Sequence, residues 1–109
     1  MNVRQQTLTV ASGATVSTHF VGSGFSSFGL VTPAGMEGTT ITFEVGVYDA
    51  TGTLQFTALN NLATAAFLTV AASKAYKLPD DLRPFSEWRL ITAAQTGAAV
   101  FVAYGKSEA

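Results

Sequence analysis

Few side chains in this sequence are suited to acid–base or covalent chemistry, and they do not converge. His19 is the only histidine and stands in the run STHFV. A histidine beside serines is the start of a hydrolytic site, and Ser17, Ser23, Ser26 and Ser27 are near it in the chain. No nucleophile-elbow pattern surrounds any of them. His19 alternates with Phe20, so it should point outward where Phe20 points inward. The run GSGFSSFG (22–29) has the glycine content of a phosphate loop, but its spacing fits neither GxGxxG nor a Walker A motif. It reads as a loop and strand break. The carboxylates are Glu37, Glu44, Asp49, Asp80, Asp81, Glu87 and Glu108. Asp80 and Asp81 lie outside any EF-hand loop and read as a capped turn, with Asp80 as N-cap. The absence of cysteine removes disulfides, thiol catalysis and Cys-based zinc sites. These residues predict a protein that is not an enzyme and uses no metal or cofactor.

The elements that carry these residues are strands. Apolar residues recur at period two, as in TTITFEVGVYDATG (39–52), where Ile41, Phe43, Val45 and Val47 form one row. Strands are expected at 6–11, 15–22, 27–33, 40–48, 54–59, 67–72, 74–78, 87–93 and 99–105. In the second, Val16, Thr18 and Phe20 should share a face. Turn clusters separate them: ASGAT, GSG, PAGMEG, DATG and QTGA. Turns about every ten residues mark a sandwich or barrel. The Ala-rich NNLATAAF (60–67) reads as a helical turn, and LPDDLRPF (78–85) as one turn that Pro84 ends. Trp88 reads as a core residue rather than a sugar-stacking platform. Arg89 and Glu87 should share the outer face of their strand and pair weakly.

Composition sets the class. The chain has 109 residues, so a single domain, 1–109, is expected. Charged residues make up 12% of the chain, about half the usual share, and mean hydropathy is +0.31. A surface this poor in charge fits a chain covered by copies of itself or by a larger assembly. The last two strands point the same way. Ile91 opposes Leu90, and Phe101 opposes Val100 and Val102, so both faces are apolar and each needs a covering layer. Net charge is −1 and no basic run exists, which removes an electrostatic nucleic-acid footprint. The start, MNVRQQTLTVASG, has no apolar core of a secretory signal, and no segment has the length of a membrane span.

Three segments together resemble a family of small structural proteins of tailed bacteriophages and prophages. They are SGATVSTHFVGSGFSSFGLVTPAGMEGTTITFEVGVYDATG (12–52), LTVAASKAYKLPDDLRPFSEWRLITA (68–93) and AAVFVAYGK (98–106). The likeness is one of strands and turns: a Gly-Ala-rich start, a T-x-T-F-x-V strand, a Leu-Pro turn and an aromatic-Arg-Leu strand. The chain departs from it at VGVYD (45–49) and TAAQTG (92–97). The resemblance implies an all-β, jelly-roll-like antiparallel sandwich of about eight strands, sited on the virion capsid surface after synthesis in the host cytoplasm. It implies a capsid decoration or cement protein, a homo-oligomer (trimer or dimer) whose partner is the major capsid protein, without nucleic acid or membrane. On that reading residues 1–6 form an extended arm, with Asn2, Val3, Arg4, Gln5 and Gln6 reaching a neighbour. Phe25, Tyr48, Ile91 and Phe101 are then the expected interface anchors. The alternative is a tail or baseplate sandwich that binds host glycans through Trp88, Tyr48, Tyr76 and Tyr104.

Overall fold

The structure is a computed structural model that describes residues 3–22, 25–61, 64–65 and 67–107. The described residues form eleven strands: β1 (Val3–Val10), β2 (Val16–Val21), β3 (Ser27–Val31), β4 (Thr40–Tyr48), β5 (Leu54–Ala58), β6 (Asn60–Asn61), β7 (Thr64–Ala65), β8 (Phe67–Thr69), β9 (Ala75–Lys77), β10 (Glu87–Ile91) and β11 (Ala99–Lys106). One 3-10 turn, Asp80–Leu82, lies between β9 and β10. Among the described residues no helix is long and apolar enough to cross a membrane.

All long pairings are antiparallel and fall into two layers. Sheet I runs β1-β11-β3-β9. Sheet II runs β2-β10-β4, with β5 and β8 sharing the far edge of β4. Apart from β5 and β8, which stay beside β4 in sheet II, the strands of the two sheets alternate along the chain: β1 in sheet I, β2 in II, β3 in I, β4 in II, then β9 in I, β10 in II and β11 in I. That is jelly-roll connectivity, and a single pair, Val10 with Ser17, joins the layers into one curled sheet.

The inner rows meet in one core. Leu8, Val10, Phe28, Leu30, Phe101 and Ala103 of sheet I face Phe20, Ile41, Phe43, Val45, Trp88 and Leu90 of sheet II. Trp88 is fully buried at its centre. It stacks on Phe20 at 5.2 Å and meets Phe28 and Phe43 edge-on at 5.5 and 6.3 Å. Each such side chain contributes roughly 1.5–3 kcal/mol of burial before entropy.

Several sequence expectations change here. Residues 3–6 are not a free arm: they are the first half of β1, in register with β11 from Val3 opposite Lys106 onward. The Gln6 amide also donates to the Val21 carbonyl at 2.6 Å and accepts from the Val21 N–H at 3.2 Å. Asn2 lies outside the described residues. Val16 does not share the core face with Phe20. The β2–β10 register shifts between Arg89 and Ile91, so Ser17 turns inward and Val16 outward. At that bulge the Ser17 hydroxyl accepts from the buried Leu90 N–H at 2.9 Å, a bond the ladder cannot supply there. Residues 60–61 and 64–65 are extended instead of helical. The residue before the 3-10 turn is Pro79, without a side-chain cap, and not Asp80.

Candidate interaction surfaces

The outer face of sheet II brings His19, Glu44, Glu87, Arg89 and Tyr48 together. β10 turns Glu87 and Arg89 outward, because Trp88 and Leu90 are held in the core. Directly opposite Arg89 stand His19 on β2 and Glu44 on β4. Arg89 Nε donates to Glu44 Oε1 at 2.7 Å, and Nη2 approaches the same oxygen at 2.6 Å. Its guanidinium lies 4.1 Å above the centre of the Phe56 ring on β5, and the His19 ring lies 5.3 Å from that ring. Glu87 is mostly buried and uses both oxygens: His19 Nε2 is 3.2 Å from one, and the Tyr48 hydroxyl donates to the other at 3.2 Å. The Glu87 hydrogen bond, and then its negative charge, raise the Tyr48 pKa above the ordinary phenol value. Gly46 makes this lid possible. A Cβ there would lie 2.9 Å from Leu54 Cδ1 and 3.1 Å from Glu87 Cβ.

Arg89 therefore pairs across the sheet with Glu44, not along its strand with Glu87. The cluster is closed on itself: each acid has its partner, and Phe56 covers the cation. Among the described residues no set of three His, Asp, Glu or Cys side chains could hold a metal ion. Ser17, the described serine nearest His19 in sequence, is committed to Leu90 and to the Thr18 carbonyl at 2.6 Å. Ser23 lies outside the described residues.

The outer face of sheet I has the opposite character. Its rows read Gln5, Thr7 and Thr9 on β1, Val100, Val102 and Tyr104 on β11, and Gly29 and Val31 on β3, in direct register. None is charged. Val100 is 45% exposed and Val3, at the end of the row, is 62% exposed. Lys77 and Lys106 stand at one margin, where Val3, Phe28, Gly29, Tyr76 and Tyr104 line an apolar groove of about 450 Å³.

The expected contact residues are dispersed. Phe101 is fully buried and is a core residue, because β11 turns Val100 outward and Phe101 inward. Phe25 is half-buried and packs edge-on against Phe20 and Phe28 at 5.9 and 6.1 Å, closing the core at one end. Tyr48 is 64% exposed and Ile91 half-buried, both on sheet II. Trp88 is lost to the glycan reading by its burial, and its Nε1 is a buried side-chain polar atom without a partner. Gln95 belongs to the turn cluster QTGA. It is buried, and its amide bonds both the Glu37 N–H and the Glu37 carbonyl at 2.9 Å, tying two loops together. A glutamine in a turn cluster carries no sequence signal for that role.

No protein-family model matches the chain, and no curated protein matches it. Among solved structures, the chain is similar to YomS, a protein derived from the SPBc2 prophage. The identity is 16% over 96% of this chain and 95% of that one, with a TM-score of 0.54. The chain and YomS share a fold. Recombinant oxalate oxidase in complex with glycolate overlays more loosely, at 15% identity over 98% of this chain and 43% of that one, TM-score 0.45. So does a protein of the Bacillus endospore appendages, a novel family of disulfide-linked pili, at 13% identity over 97% and 89%, TM-score 0.35.

Proposed function

We propose that this chain is a tailed-bacteriophage virion protein that decorates the head, and that it binds the major capsid proteins through the outer face of sheet I. The observation that carries the reading is the uncharged Thr/Val surface spanning β1, β11 and β3, on a molecule whose other broad face is closed by its own ion pairs. The chain's low charge content and its fold-level likeness to a prophage-derived protein support it. The role is binding, not catalysis, and calls for no cofactor.

The mechanism is mass action. A protein that binds the assembled shell and not its separated subunits stabilises the shell by RT ln(1 + [L]/Kd), about 2.7 kcal/mol at a hundredfold excess over Kd. An uncharged sheet face suits this task because its affinity comes from area and shape, which neighbouring capsid subunits together supply. The test is co-sedimentation with empty heads and with dissociated capsid protein. Wild type should pellet with heads only, and Val100→Glu should stay in the supernatant while remaining folded. Equal binding to dissociated subunits, or loss of binding through Tyr48→Ser and not through Val100→Glu, would overturn the reading.

A further inference from the structure

The two sheets end in two edges of different kinds. In sheet I the edge is β9, only three residues long. The Thr32 N–H bonds the Lys74 carbonyl and the Leu78 N–H bonds the Phe28 carbonyl, each at 2.9 Å. With this register only Ala75 and Lys77 turn backbone groups outward, and Lys74 and Pro79 bracket them. Shortness, lysine and proline are the ordinary guards of an edge.

In sheet II the edge is β5, LQFTA, and it has none of these guards. From Ala50 to Ser73 the chain carries no charged residue and no proline. The Asp49 N–H bonds the Thr53 carbonyl at 3.0 Å, and the Leu59 N–H bonds the Phe43 carbonyl at 2.9 Å. Given the register of Val45 with Thr57 and Val47 with Gln55, Thr53, Gln55, Thr57 and Leu59 bond to β4. The N–H and C=O of Leu54, Phe56 and Ala58 therefore point away from the sheet. Among the described residues β4 is the only strand that pairs with β5.

We propose that β5 pairs antiparallel with β5 of a second copy, about a two-fold axis through Phe56. Leu54 then stands opposite Ala58 of the second copy, and Phe56 opposite its counterpart. Every outward-facing residue meets another at matching spacing, for about six ladder hydrogen bonds. No like charges meet across the axis, because the strand has no charge. The same feature argues for a copy over a foreign strand: an uncharged edge offers no charge pattern by which to select a different partner. The closed contact is isologous and leaves no β5 edge free. It joins two copies of sheet II into one continuous sheet and leaves both sheet I faces open. The inference stands on the ladder geometry and is separate from the capsid reading; a dimer that ignores heads would sink that reading and leave this one intact.

The experiment is sedimentation velocity on wild type and Ala58→Pro. Proline removes an N–H that β4 does not use, so strand content by circular dichroism should be retained. Wild type should sediment at about twice the 11.4 kDa chain mass, and Ala58→Pro at the single-chain mass. A second measurement tests the register. The chain has no cysteine of its own, and Gln55 and Thr57 face each other across the proposed axis. A mixture of Gln55→Cys and Thr57→Cys chains should oxidise to a covalent dimer faster than either alone. A monomeric wild type overturns the proposal, as does a dimeric Ala58→Pro. Cross-linking no faster in the mixture than in the separate variants overturns it as well.

Discussion

The two outer faces of this sandwich are built on the same ladder and spend their side chains differently. Sheet II folds its polar and aromatic groups onto each other. Arg89 lies over Phe56 and against Glu44, and Glu87 is shared by His19 and Tyr48. Sheet I sets Thr7, Val100, Val102 and Val31 side by side, with Thr7 and Val100 exposed and Val102 and Val31 half-buried. The difference teaches that ionisable residues do not by themselves mark a binding face. On sheet II they consume one another, and under the proposed function it is the plain face of sheet I that binds.

The strongest way to break this comparison uses the glycines at the centre of each face. Gly46→Val on β4 forces a side chain into Leu54 and Glu87, where even a Cβ comes within 2.9 and 3.1 Å. We expect it to lose about 1–3 kcal/mol, read as a lower urea midpoint at constant m-value. At Gly29 on β3 an added Cβ meets nothing closer than the Tyr76 carbonyl oxygen at 3.5 Å, so for Gly29→Ala stability should stay within about 0.5 kcal/mol of wild type. Equal losses at the two glycines would mean that sheet I is as closely covered as sheet II.

A smaller effect is expected from the ion pair. Arg89→Ala strips the cation from Phe56 and leaves Glu44 alone, at a cost of about 1 kcal/mol. A double-mutant cycle with Glu44→Ala should return a coupling of about 0.5–1 kcal/mol. A coupling of zero would mean that the sheet II face is not interlocked.

The turn joining β4 to β5 sharpens the contrast by pH. Asp49 accepts from the Thr51 hydroxyl at 2.7 Å and from the Thr51 and Thr53 N–H groups at 2.9 and 3.0 Å. The Thr51 hydroxyl and then these backbone bonds hold its pKa below the ordinary carboxylate value. A depressed folded pKa stabilises above the unfolded value and is lost as pH falls through the folded one. The melting temperature should therefore drop more steeply below pH 4 in wild type than in Asp49→Asn. Parallel curves would remove Asp49 from the account. The smallest effect belongs to sheet I, where Val100→Thr should change stability by less than about 0.5 kcal/mol, measured by the same urea titration.

Much of this was legible in the chain. The alternation of Ile41, Phe43 and Val45 marks β4 over the residues it occupies, and Trp88 between Glu87 and Arg89 is a core residue as its alternation implies. What failed depends on strand neighbours. Two residues apart on one strand, Glu87 and Arg89 are about 7 Å from each other, whereas a cross-strand partner lies nearer 5 Å. Which residue that partner is depends on strand order, and strand pattern does not encode order. The bulge at Ser17 likewise reverses a parity that sequence alone extends unbroken. Residues 3–6 read as an arm on the capsid reading, but they pair with β11, from the far end of the chain, and Gln6 also bonds Val21 of β2.

The capsid reading is tested most directly by copy number: the ratio of this chain to the major capsid protein in purified particles, by quantitative mass spectrometry. A ratio near one per capsid subunit, or a simple fraction of it, is the expected result for a protein that covers a shell. A few copies per particle would contradict the account and move the chain to the tail, and absence from particles would remove it from the virion.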